Sequence, residues 1–187
     1  SAVGIVGSIA TLMFMPILGV SQGAQPIIGF NHGAKQFNRV KETLKKAVIV
    51  GTIIATFSTA VVHLWPIQIA SMFNNNNTEL IRLTAHAMSV FFLMFPVAGF
   101  QIICSQYFQA VNKPIQSTIL GLSRQLLLLI PLLLILPRFW GIEGIWRTPP
   151  IADVLSALVT GVFISIEMKR INSKEEAEIV NFEDDSF

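Results

Sequence analysis

Residues 1–34 read SAVGIVGSIATLMFMPILGVSQGAQPIIGFNHGA, a stretch without one Asp, Glu, Lys or Arg. A helix needs roughly 20 apolar residues to traverse about 30 Å of hydrocarbon, and this stretch is longer than that. Residues 47–78 and 83–112 are also free of charge, residues 114–136 carry only Arg124, and residues 142–166 carry only Glu143, Arg147 and Asp153. In lipid each backbone N–H and C=O has to be satisfied within its own segment, so spans of this kind are helices. The chain is therefore predicted to be all-α, a polytopic membrane helix bundle with five transmembrane helices at about 3–30, 47–73, 83–108, 115–136 and 142–168.

Composition agrees. Hydrophobic residues make up 52% of the chain and charged residues 13%, against about 25% charged in a soluble domain. The single cysteine, Cys104, has no intramolecular partner and lies in an apolar span, where it reads as a small buried hydrophobe. His32, His63 and His86 stand apart from one another and from Cys104, without metal-ligand spacing. The glycine-rich run GVSQGAQPIIGFNHGAK lacks the Lys-Ser/Thr ending of a phosphate loop, and no enzyme constellation is present.

The charges follow the connectors. Lys35, Arg39, Lys41, Lys45, Lys46, Lys113, Lys169, Arg170 and Lys174 fall on one side of the alternating spans, and Arg82, Arg138 and Arg147 on the other. The positive-inside rule makes the first side cytoplasmic, with the N-terminus outside and the C-terminus inside. Basic residues spread in this way argue against a nucleic-acid surface, which gathers its charge on one face. Because the first residues already read as the inside of a helix, the chain is expected to be the C-terminal part of a longer protein. No basic region precedes residues 2–30, so they do not read as a signal peptide. Phe37, Val40 and Leu44 fall at helical spacing among the basic residues 35–46, which fits either a short amphipathic helix on the inner leaflet or a solvated basic loop. Residues 74–77 read as a polar turn, and residues 171–187 as a flexible acidic cytoplasmic tail.

Polar groups inside apolar spans mark candidate sites. In the first span Pro16, Gly19, Gly23, Pro26 and Gly29 interrupt the helix, while Gln22, Gln25 and Asn31 place polar groups in or beside the membrane. Such interruptions are tolerated where neighbouring helices or a wet cavity satisfy the freed backbone, and Gly19 and Gly23 form a small-xxx-small step that permits close helix contact. Gln101, Ser105 and Gln109 lie on one face of the third span, which predicts either a lined path or bonds to a neighbouring helix. Arg124 lies about 15 Å past Pro114 at the helical rise. A cation there costs roughly 2.5–3.5 kcal/mol, so it requires an interior partner, for which Asp153 is the candidate. Asp153 follows Thr148, Pro149 and Pro150, and a helix starting afresh after the prolines would place it in a first turn that favours the ionised carboxylate.

Taken together, PILGVSQGAQPIIGFNHGAK (16–35), RVKETLKK (39–46), FPVAGFQIICSQYFQAVNKP (95–114), LSRQLLLLIPLLLILPR (122–138) and GIEGIWRTPPIADVLSALVTG (141–161) resemble the C-terminal half of the multidrug and toxic compound extrusion (MATE) family. The resemblance implies helices eight to twelve of a two-lobed, twelve-helix antiporter in the plasma membrane of a prokaryote. Such a protein exports cationic, amphipathic drugs in exchange for Na⁺ or H⁺ by rocking of its lobes. The implied partners are the bilayer, the preceding N-terminal lobe and the drugs. No cofactor is implied beyond the coupling ion. Since the third span has no Asp or Glu, the resemblance places the ion's site in the preceding lobe. A flippase for lipid-linked oligosaccharides or polysaccharides is the alternative reading; it calls for basic residues clustered inside the membrane. A non-transporting scaffold is a third, and it leaves the Gln-bearing first span without a use.

Overall fold

The computed structural model describes residues 2–73 and 78–184, and among these the regular structure is helical throughout. The elements are α1 (Ala2–Gly33), α2 (Phe37–Leu64), α3 (Pro66–Phe73), α4 (Thr78–Phe91), α5 (Phe95–Ala110), α6 (Pro114–Leu122), a π segment (Ser123–Leu129), α7 (Ile130–Trp140) and α8 (Ile142–Asp184). The polar turn expected at 74–77 lies outside the described residues.

Three helices, α1, α2 and α8, are each long and apolar enough to cross a bilayer, and α4 with α5 passes the same test only as a pair, bent by 52° in the manner of a broken span or a re-entrant loop. The fourth expected span, 115–136, is divided among α6, the π segment and α7. Large apolar side chains cover the outside, with Phe30 77% exposed, Leu134 73% and Phe139 78%. In lipid they need no cover. The bundle of membrane helices is thus as expected.

Helix α5 sits at the centre, packed on α1, α2, α6 and α8. The core around it includes Ile17, Val40, Phe92 and Leu120, with Tyr107 and Phe108 of α5 itself, all nearly inaccessible, and Cys104 is buried as expected. Gly99 lets α5 approach both neighbours, since a Cβ there would lie 3.3 Å from Ala55 Cβ and 3.5 Å from Ile17 Cδ1. Gly51 is different, because its missing Cβ would meet the Cδ1 end of Ile103, which can rotate away. Gly51→Ala is therefore expected to cost about 1 kcal/mol, the low end of overpacking, in thermal unfolding of the detergent-solubilised protein. A loss above about 3 kcal/mol would show Ile103 to be locked.

The bend between α4 and α5 has a local cause. Pro96 has no amide with which to bond the carbonyl of Phe92 four residues back. Thr59 Oγ1 of α2 lies 3.3 Å from that oxygen and 2.9 Å from Ala55 O, so one hydroxyl serves the opened turn. Edge-to-face contacts of Phe95 with Phe14 and Phe92, at 4.7 and 5.4 Å between centroids, hold the corner.

Two turns use one device. Lys35 and Asn112 have φ of 57° and 61°. The next amides reach back, Gln36 N–H to Asn31 O at 2.9 Å and Lys113 N–H to Phe108 O at 2.8 Å. Each is a helix C-terminus closed by a left-handed residue. The turn to α8 is tighter still: Gly141, with φ of 56°, alone separates α7 from α8.

Several expectations are corrected. Residues 37–46 form neither a leaflet helix nor a loop, but the first turns of α2, with Phe37, Val40 and Leu44 buried in the core. The second span breaks at Trp65, before Pro66 starts α3. Pro149 and Pro150 lie inside a continuous α8, so no fresh helix starts there and Asp153 is in no first turn. Residues 171–184 continue α8 as helix, where an unstructured tail was expected; Ile171 is buried and Glu175 is tied to Lys41 at 2.7 Å, and residues 185–187 are outside the description. Among the described residues nothing lies within 4 Å of the Cβ positions of Gly19 and Gly23, so no helix among them packs closely on that step.

Candidate functional site

The π segment begins where α6 meets the level of Asp153 on α8. Seven residues, Ser123–Leu129, follow the wider spiral, a distortion of the kind that proteins keep at functional sites. Arg124 is its second residue, and its Nε and Nη2 both lie 2.7 Å from Asp153 Oδ1. Asp153 is buried, its side chain 6% exposed, while Arg124 keeps 23% and has its guanidinium 6.0 Å from the centre of the Phe14 ring. Nε donates a charge-assisted hydrogen bond to that oxygen, and the close Nη2 completes the ion pair. The pairing expected from the sequence is therefore present.

Beside this pair a cleft of about 180 Å³ opens between α5 and α6, lined by Gln101, Ile102, Ser105, Gln106, Gly121 and Arg124. Gln101 Nε2 donates to Leu120 O at 3.3 Å, and Ser105 Oγ lies 3.3 Å from Ser117 O. Of the two readings of that polar face, both side chains carry out the second, bonding to the neighbouring helix, while still bordering the cleft. Gln109 is exposed at the end of α5.

The first span contributes differently. Asn31 is buried and donates through Nδ2 to Ile27 O of its own helix at 2.8 Å. Gln22 is exposed and Gln25 half-buried on α1, on the side where Gly19, Gly23 and Pro26 are also open. Neither glutamine lines the cleft at Arg124. The structure thus brings Gln101, Ser105, Arg124 and Asp153 together and leaves Gln22, Gln25 and Asn31 apart from them.

Sequence reading missed a second pair on the same two helical walls. Lys113 Nζ bonds both carboxylate oxygens of Glu167, whose side chain is 6% exposed. Lys113 precedes α6 and Glu167 lies on α8, so the pair pins the walls at one end while Arg124 and Asp153 pin them at depth. The signal was available, for Glu167 is a lone carboxylate closing the last apolar run. At the opposite end His86 Nε2 meets Glu143 at 2.8 Å, and Arg147 stacks 5.4 Å from the Trp140 ring.

Comparison with known proteins gives the family. The MatE family profile matches residues 1–135. The chain is similar to the structure described as MATE multidrug transporter DinF-BH in complex with rhodamine 6G, with 40% identity and a TM-score of 0.80, over 87% of this chain and 36% of that one. It is also similar to the multidrug export protein MepA of Staphylococcus haemolyticus, 22% identical over 89% of this chain and 36% of the relative. A third relative is the FAD transporter of Shewanella oneidensis, 24% identical over 79% of this chain and 32% of the relative. The chain spans about a third of the length of these curated relatives. With the profile covering most of its membrane helices, this multi-pass chain belongs to the MatE family of transporters.

Proposed function

We propose that the chain forms most of the second lobe of a secondary multidrug exporter, which exchanges cationic, amphipathic compounds for Na⁺ or H⁺ by alternating access. The observation that carries this reading is the neutralised pair. Arg124 is the one cation at membrane depth among the described residues, and Asp153 holds it at 2.7 Å. Within the membrane span a lobe built in this way offers no bare positive charge along which a pyrophosphate could cross, which counts against a flippase. Resemblance to a relative solved with rhodamine 6G, a cationic dye, supports the cationic substrate class. In this reading the open α1 face with Gln22 and Gln25 borders the cavity between lobes. The basic end, with Lys41 and Lys113, faces the cytoplasm. Asp153 serves as an anchor, and the coupling ion binds in the preceding lobe, because α5 has no carboxylate.

The test is efflux of rhodamine 6G from vesicles holding the complete transporter, with Na⁺ and pH gradients imposed separately. Efflux is expected to rise with one gradient and to ignore the other. If neither gradient changes it, the antiporter reading fails. The relative named FAD transporter supplies a second arm: the same vesicles are offered FAD, and uptake of FAD without export of the dye would replace the drug reading with a nucleotide one.

A further inference from the structure

At the end of the bundle pinned by Lys113 and Glu167 lies a cleft of about 470 Å³, bordered by His32, Lys113, Glu167, Lys169, Arg170 and Lys174. Its charge balance is one-sided. Lys113 satisfies both oxygens of Glu167, and no carboxylate among the described residues pairs with Lys169, Arg170 or Lys174. Of the acids that follow on α8, Glu175 is taken by Lys41 and Glu176 is exposed.

A second hollow, of about 430 Å³, runs along the outer side of α8 over Ala157, Gly161 and Ser165, with Leu158, Val162 and Ile166 as walls and Lys169 at its end. Lys169 borders both hollows. The small residues recur at every fourth position, which aligns them as one trough. Among the described residues nothing lies within 4 Å of the Cβ position of Gly161, so no packing among them calls for the glycine. From Ala157 to Lys169 the trough is about 18 Å long at the helical rise, close to the roughly 15 Å that half of a bilayer core measures.

We infer that the two hollows form one site for an anionic phospholipid of the surrounding membrane, its phosphate among Lys169, Arg170 and Lys174 and one acyl chain along α8 over Gly161. Charge and length both fit this occupant. A phosphate answers the unpaired cations at the depth where headgroups lie, and the apolar trough ends at those cations after one leaflet. The bound lipid would brace α8 against the walls that Lys113 and Glu167 join. This reading rests on the membrane setting alone and is independent of what the transporter exports.

The test is native mass spectrometry of the complete transporter in detergent, titrated with phosphatidylglycerol, phosphatidylcholine or glycerol 3-phosphate. Phosphatidylglycerol is expected to bind at least tenfold more tightly than either of the others, which separates a lipid from a free phosphate. At about 1 kcal/mol per cation, Lys169→Ala with Lys174→Ala should weaken it about thirtyfold without lowering the melting temperature in detergent. Gly161→Leu should weaken it as well, by filling the trough. Equal binding of the two phospholipids, tight binding of glycerol 3-phosphate alone, or an unchanged affinity in the double variant would overturn the proposal. So would a fall in melting temperature for Gly161→Leu in lipid-free detergent, since the trough would then be covered by protein.

Discussion

Arg124→Ala and Asp153→Ala are each expected to lower the stability of the detergent-solubilised protein by about 3–5 kcal/mol, the cost of leaving one member of a buried ion pair alone. The double variant should lose much less than the sum. Once both charges are gone the remaining cost is that of truncated side chains, and the interaction energy returned by a double-mutant cycle should reach about 1–3 kcal/mol. Chemical or thermal unfolding of the four proteins measures it, and strict additivity would show that the 2.7 Å contacts contribute nothing to the fold. Arg124→Lys adds a sharper control. A lysine keeps the charge but cannot reproduce the planar guanidinium at Oδ1, so it should restore only part of the loss.

Gly144→Ala is expected to be as damaging, for a steric reason. A Cβ on Gly144 would lie 2.6 Å from both the carbonyl carbon and oxygen of Leu136 and 2.8 Å from Pro137 N. These are backbone atoms of α7, and the connection to α8 is the single residue Gly141, so neither helix can step aside without opening the hairpin. Overpacking in ordinary cores costs about 1–3 kcal/mol, and a clash with backbone belongs at or above the top of that range. The melting temperature should fall by far more than for Gly51→Ala, whose clash is with a side-chain end. Equal effects of the two substitutions would mean that the α7–α8 crossing is not as close as described.

Much of this architecture was legible in residue order because lipid permits few alternatives: a long uncharged run has to become a helix, and a charge within one has to find company. Arg124 and Asp153 could be paired on that ground alone. What the pattern could not give was where helices break. Pro66 and Pro96 interrupt their spans, while Pro16, Pro26, Pro149 and Pro150 are carried inside continuous helices. The difference lies in neighbours such as Thr59 and the Phe95 contacts, which are tertiary. The π segment was likewise hidden, since SRQLLLL is as suited to an ordinary helix. Residues 171–184 misled because their composition is that of a solvated chain, whereas Lys41 and the core around Ile171 supply the order from outside. Gln22 and Gln25 were visible as polar exceptions, but they lie apart from the cleft at Arg124.

The length of α8 has a mechanical result. Its 43 residues make a rod of about 64 Å, longer than the roughly 40–45 Å of a whole bilayer with its headgroups. From Asp153 to Asp184 the arm is about 46 Å, so a swing of about 5° at the buried carboxylate displaces the tip by about 4 Å. Lys41, clasping Glu175 and Asn172, makes α2 travel with that arm, and a spectroscopic label near residue 180 would report any swivel of the lobe magnified at the water's edge.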